Sequence, residues 1–239
     1  MASMTLDDLV AQLRNAYGAA LRAVVLYGSS AAAEPRPGRA SHDVLVIVDG
    51  LGMAQLRAAS ATARAWGEAG HPPPLTLTLA EWQSSADVFP IEYADVLERH
   101  RVLHGTLPLD GISVSPADLR VQVEQQALGK LLQLRQGVLA AGGVPKRQLE
   151  LLEASLSTLM VVFRAVERLR GEAPSADYET LVGQVGRAAG FDPSPFVRVV
   201  RHARGREKLA PEAAEGVLAA YLTALEALVA FVDRFAAGR

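Results

Sequence analysis

The chain has 239 residues, of which 50% are hydrophobic and 21% charged, with a net charge of −2 at pH 7. That is the balance of a globular protein, and it lacks the overall basic field that would draw in nucleic acid or an anionic membrane. With no cysteine, disulfides, thiolate metal sites and a Cys nucleophile are all excluded. The first ten residues, MASMTLDDLV, carry acids where a signal peptide has a basic start. No uninterrupted apolar run approaches the ~18 residues of a membrane span. The expectation is a cytoplasmic protein. Residues 5–17 predict an amphipathic helix with Leu6, Leu9, Val10 and Leu13 on one side. Leu21–Tyr27 is a compact apolar run closed by Gly28, the pattern of a buried strand, and Val44–Val48 is another. An Ala-rich helix is predicted over 51–69, stopped by Gly70 and Pro72-Pro73-Pro74. Leu75, Leu77 and Leu79 alternate with threonines, which predicts a strand. Thr78 and Glu81 have capping-box spacing and open a helix, with Pro90 as its end. Residues 92–104 are read as a strand, bent along its length.

The pattern changes at Ser115-Pro116. Serine at the N-cap, proline at the first helical position and Asp118 behind them predict a strong helix start. That helix extends to about residue 140 and stops at Gly142-Gly143. The next opens near Pro145 and places Leu149, Leu152, Leu156, Leu159, Phe163 and Val166 at steps of three and four. Shorter helices are expected at 176–189 and 194–203. A long one is expected from Pro211, with Val217, Tyr221, Leu225, Leu228, Val232 and Phe235 along it. Helices and strands alternate in the first half, and the second half is all helical. This predicts an α/β domain over residues 1–110, with a small mixed sheet, and an α-helical bundle over 111–239.

The chemistry-bearing stretch lies between the first two strands. An apolar run ends at Tyr27-Gly28-Ser29-Ser30, a Pro/Gly-rich linker follows, and Ser41-His42-Asp43 leads into Val44-Leu45-Val46-Ile47-Val48. A Gly-Ser turn at a strand end supplies backbone N–H groups and a hydroxyl to phosphate oxygens, and glycine permits close approach. The layout resembles the catalytic core of the nucleotidyltransferase superfamily, with its polymerase-beta-like fold. There a Gly-Ser pair precedes an Asp-x-Asp at the start of a strand. The resemblance continues through Phe89 to Gly105 and through Leu128 to Gln136, and so touches both halves. It is to an uncharacterised bacterial group with a helical C-terminal domain.

That resemblance implies transfer of a nucleoside monophosphate from a nucleoside triphosphate to a hydroxyl acceptor, with Mg²⁺ held by carboxylates. Alternate residues of a strand share a face, so the family's two Asp reach the same ions. Here Asp43 is the second Asp and Ser41 stands in place of the first; a shifted register makes Asp43 the first and Leu45 the second. Either way one carboxylate is missing, and Asp49, six residues on, is too far to replace it. Asp95 is carried over as the third carboxylate, leading its strand, with Glu92 as the fallback. Gly28, Ser29, Ser30 and Ser41 are assigned to phosphate or nucleotide, Asp43 and Asp95 to the metal. Lys130 and Arg135 are candidates for the triphosphate. The missing carboxylate predicts a slow or dead enzyme. The alternative is a pseudoenzyme, a nucleotide-binding or protein-interaction module without turnover, or a toxin–antitoxin-like partner. His42 should point away from Asp43. Arg99 and His104 have a spacing seen in HEPN ribonucleases, but they fall on a predicted strand where that motif requires a helix. The basic run Arg198, Arg201, His202, Arg204, Arg206 and Lys208 lacks interleaved aromatics for stacking on single strands. No nucleic-acid partner is expected from it.

Overall fold

The structure is a computed structural model that describes residues 4–28, 31 and 42–235. The chain divides into two compact units, Met1–Val114 and Ser115–Arg239. In the first, helix α1 (Leu6–Tyr17) precedes strand β1 (Leu21–Tyr27), and β2 (Asp43–Val48) follows. Then come α2 (Met53–Glu68), β3 (Leu75–Thr78), α3 (Leu79–Ser84), α4 (Pro90–Glu98) and β4 (His100–Gly105). The four strands form one sheet in the order β3-β2-β1-β4. β1 runs antiparallel to β2 and β4, while β2 and β3 are parallel, so the sheet is mixed.

The two-residue period of the strands decides what each face carries. Val24, Leu26, Val44, Val46 and Val48 point to one side and pack with Leu9 and Leu13 of α1 and Trp66 of α2. Ala23, Val25, Leu45 and Ile47 point to the other and pack with Trp82 of α3 and Tyr93 and Val96 of α4. Both central strands are thus covered on both faces, which is why they read as unbroken apolar runs. The α1 and α3 starts are both capping boxes. Thr5 Oγ1 accepts from the Asp8 N–H at 3.2 Å while the Asp8 carboxylate accepts from the Thr5 N–H at 3.0 Å. Thr78 and Glu81 repeat the arrangement at 3.2 and 2.7 Å.

One element differs from the expectation. Residues 92–104 are not a single strand: 90–98 form helix α4, and only 100–105 are extended. Ile91, Tyr93 and Asp95 are all buried, and that alternation imitates a strand in so short a segment. Pro90, expected to end a helix, instead occupies the first turn of one, where its missing N–H costs nothing. Arg99, at φ −141° and ψ 98°, turns the chain from helix to strand.

The second unit contains α5 (Pro116–Ala141), α6 (Pro145–Leu169), α7 (Tyr178–Ala189), α8 (Ser194–Ala203) and α9 (Ala214–Asp233). Ser115 Oγ caps α5 by accepting from the Ala117 N–H at 3.2 Å. Phe163, Phe196 and Tyr221 meet at its centre, with ring centroids 5.1 and 4.0 Å apart. Among the described residues, one helical stretch, Pro211–Asp233, is long and apolar enough to cross a membrane. Its Val217, Leu218, Tyr221, Leu225, Leu228 and Val232 are buried within the bundle, as in the core helix of a globular unit.

Candidate functional site

Tyr27 ends β1 and lies opposite Asp43 on β2 and His100 on β4. By strand parity Asp43 shares its face with Leu45 and Ile47, the side that α3 and α4 cover. Gly28 follows with φ +67°, a conformation that side chains disfavour. A Cβ built there would sit 3.7 Å from Asp43 Oδ2, so the carboxylate lies beside the bare Gly28 backbone. The turn tightens as the Ala31 N–H donates to the Gly28 carbonyl oxygen at 3.2 Å.

Helix α4 contributes two more carboxylates. Glu92 and Asp95 are three residues apart and therefore neighbours on one helix face; Asp95 is buried. The Tyr27 phenol registers them all. Its pKa is pushed well above the ordinary tyrosine value, first by burial and then by the negative charges of Asp43, Glu92 and Asp95. Three acidic side chains from two elements therefore act on one neutral O–H.

Trp82 and Tyr93 fix the aim of α4. Their rings stack at 4.3 Å, and the Tyr93 hydroxyl donates to the Trp82 carbonyl oxygen at 2.7 Å. Burial raises the Tyr93 pKa to about 12, so it too stays protonated. Trp82 Nε1 donates to the Pro108 carbonyl oxygen at 2.7 Å. At the far end His100 Nδ1 lies 2.7 Å from the Val96 carbonyl oxygen. A carbonyl only accepts, so Nδ1 carries the proton and ties the end of α4 to the start of β4.

The structure brings Gly28, Asp43 and Asp95 into this one neighbourhood. Ser29, Ser30 and Ser41 lie outside the described residues. Asp95 sits within a helix and leads no strand; β4 begins five residues later, at His100. Lys130 and Arg135 belong to the second unit and point about 140° apart around α5. Lys130 Nζ donates to Gln133 at 3.2 Å, and Arg135 Nη2 donates to Glu226 at 2.7 Å. They do not form one cationic pair. Asp49 pairs with Arg22 at 2.5 Å, at the opposite end of β2. His42 takes the other sheet face. Its N–H donates to His71 Nδ1 at 3.2 Å, and its ring stacks toward Trp66 and His71.

The basic run of the second unit is largely matched by acids. Arg201 and Arg206 reach Glu179 at 2.9 and 3.3 Å. Arg204 reaches Asp177 at 3.0 Å, and His202 reaches Glu153 at 2.9 Å. Sequence reasoning missed Tyr27 and gave Glu92 only second place. The signal for Tyr27 was present: it directly precedes Gly28 on a strand whose partner begins with Asp43.

Among the described residues no group of three or more His, Asp or Glu is assembled to hold a metal ion. A self-contained two-ion cage is therefore not built from Asp43 and Asp95. Their carboxylate oxygens do suit one Mg²⁺, which is commonly bound by one or two carboxylates together with substrate phosphates.

No family model matches the chain, and no curated protein matches it. Among solved structures, the crystal structure of spectinomycin adenyltransferase AAD(9) from Enterococcus faecialis, with ATP and spectinomycin, matches with a TM-score of 0.62. The two share 12% identity over 92% of this chain and 98% of that one. The chain therefore has an α+β nucleotidyltransferase fold, with a small mixed sheet and a helical C-terminal part.

Proposed function

We propose that the chain binds a nucleoside triphosphate as its Mg²⁺ complex at the β1–β2 end of the first unit, and that its capacity for nucleotidyl transfer is weak. The observation that carries this reading is the Asp43 carboxylate lying beside the Gly28 backbone, with Asp95 close enough to act on the same phenol. The Gly28 backbone with Ser29 and Ser30 binds phosphate oxygens. Asp43 and Asp95 hold the ion, which offsets phosphate charge. Lys130 and Arg135 are left out of this reading, since they point about 140° apart around α5.

In the reaction an acceptor hydroxyl oxygen attacks the α-phosphorus, the bond to the bridging oxygen of the β-phosphate breaks, and pyrophosphate leaves. The acceptor proton passes to a carboxylate of the site. AAD(9), which was crystallised with ATP and a small antibiotic, supports a nucleotide with a small-molecule acceptor. Against efficient turnover stands Ser41, a neutral hydroxyl at the position of the family's first Asp. A nucleotide-binding protein without turnover is the second reading, favoured by that same residue. The reading places the chain in the cytoplasm, where nucleoside triphosphates are plentiful.

Ser41→Asp tests the register. It is expected to tighten Mg²⁺-dependent nucleotide binding and to raise pyrophosphate release above the native level. Unchanged Mg²⁺ dependence would contradict the assignment of Ser41. Asp43→Asn is expected to weaken Mg²⁺–nucleotide binding by about 1.5–3 kcal/mol, the usual worth of a bond to a charged group. Calorimetry showing no change would remove Asp43 from the site.

A further inference from the structure

Helix α5 carries an apolar stripe that its own unit does not cover. Val121, Leu128, Leu132 and Leu139 are 58%, 44%, 47% and 82% exposed. Their spacings of seven, four and seven residues keep them on one helix face, about 27 Å long at 1.5 Å per residue. The opposite face is already buried in the bundle through Leu119, Val123, Ala127, Leu131 and Leu134. Gln125 and Arg135 complete the exposed stripe. The six positions 121, 125, 128, 132, 135 and 139 are those of a coiled-coil seam. Four exposed aliphatic side chains in a continuous row go beyond the scattered apolar residues of an ordinary surface.

The seam reads the same from both ends. Reflected about residue 130, Val121 exchanges with Leu139, Gln125 with Arg135, and Leu128 with Leu132. A two-fold interface requires such self-complementarity: residue i meets residue j of the copy, and j meets i. We propose that α5 pairs antiparallel with the α5 of a second copy of this chain, about a two-fold axis that crosses the seam at the level of residue 130. Leu128 then packs on the second copy's Leu132, and Val121 on its Leu139. The polar layers also match. The Gln125 amide oxygen accepts from the guanidinium of the second copy's Arg135. Arg135 donates one N–H to Glu226 and has others to give.

A membrane surface is a poorer occupant. Helices that lie on anionic lipid have Lys and Arg on the polar face, whereas the flank of this stripe carries glutamines 133 and 136. Arg135, its one cation, is already paired with an acid.

The chain has no cysteine, which gives a clean cross-linking test. Val121→Cys with Leu139→Cys in one chain is expected to give a disulfide-linked dimer on mild oxidation. The two positions are about 27 Å apart along one helix, far beyond disulfide reach, so no bridge forms within a chain. Each single variant is expected to stay largely uncross-linked. Singles that cross-link as well as the double variant would overturn the antiparallel register. In parallel, sedimentation of the native chain should show a concentration-dependent dimer. Leu128→Glu with Leu132→Glu should be monomeric, with the melting temperature of the native chain at a dilution where that too is monomeric. A native chain monomeric at all concentrations would overturn the proposal, including the case in which it binds anionic vesicles through the same leucines.

Discussion

Tyr27 shows how much a single side chain reports about its surroundings. A phenol held protonated by burial and three carboxylates is a hydrogen-bond donor at every physiological pH. Tyr27→Phe removes that donor and leaves the acids to repel one another. It is expected to lower stability at neutral pH and to recover much of the loss when the carboxylates are protonated; a loss independent of pH would deny the electrostatic role. Asp177 offers a cleaner pH test. It caps α7 by accepting from the Thr180 N–H at 2.9 Å. That backbone hydrogen bond, ahead of the contribution of Arg204, holds its carboxyl below the usual range. A depressed folded-state pKa stabilises the protein above the unfolded value, and the stabilisation is lost as pH falls through the folded one. Asp177→Ala should therefore cost about 1 kcal/mol at pH 7. The difference from the native chain should shrink below about pH 4, as read from urea midpoints across pH.

At the scale of elements, α3 and α4 position the acidic residues and β4 closes the sheet. Gly105 makes that closure possible. It pairs with Ala23 at φ +71°, and a Cβ there would run into the Arg22 carbonyl oxygen. Gly111 has a similar φ of +76° and open space around it. Gly105→Ala and Gly111→Ala share the strain of a left-handed backbone, roughly 1–2 kcal/mol. Only the first adds a backbone collision. Gly105→Ala is expected to lower the denaturation midpoint clearly more than Gly111→Ala; equal effects would mean that β4 moves away freely. Most elements were legible because their signals are local: Thr78 and Ser115 caps, apolar runs at 21–27 and 44–48, and a three-four periodicity in α6. Helix α4 was not. Nine residues give too few turns for a period, and its burial is imposed by Trp82, which lies eight positions before the helix begins. Asp43 was readable from its place before an apolar run. The gathering of Glu92 and Asp95 at Tyr27 was not, because it depends on where α4 docks.

For the molecule as a whole, the fold is set by its full length and any activity by a few residues. The likeness to AAD(9) extends over nearly the full length of both chains at 12% identity, and it fixes the fold. The proposed chemistry would depend on a few residues around Gly28 and Asp43. The proposed function requires that this fold still recognise a nucleoside triphosphate. The most direct measurement is a thermal-shift titration of the intact chain with each of the four common nucleoside triphosphates, with and without Mg²⁺. A ligand that binds only the native state raises its stability by about 2.7 kcal/mol at a hundred times its dissociation constant. The account predicts a saturable rise in melting temperature with at least one nucleotide, larger with Mg²⁺ and reduced in Asp43→Asn. A flat response to all four nucleotides under both conditions would contradict it.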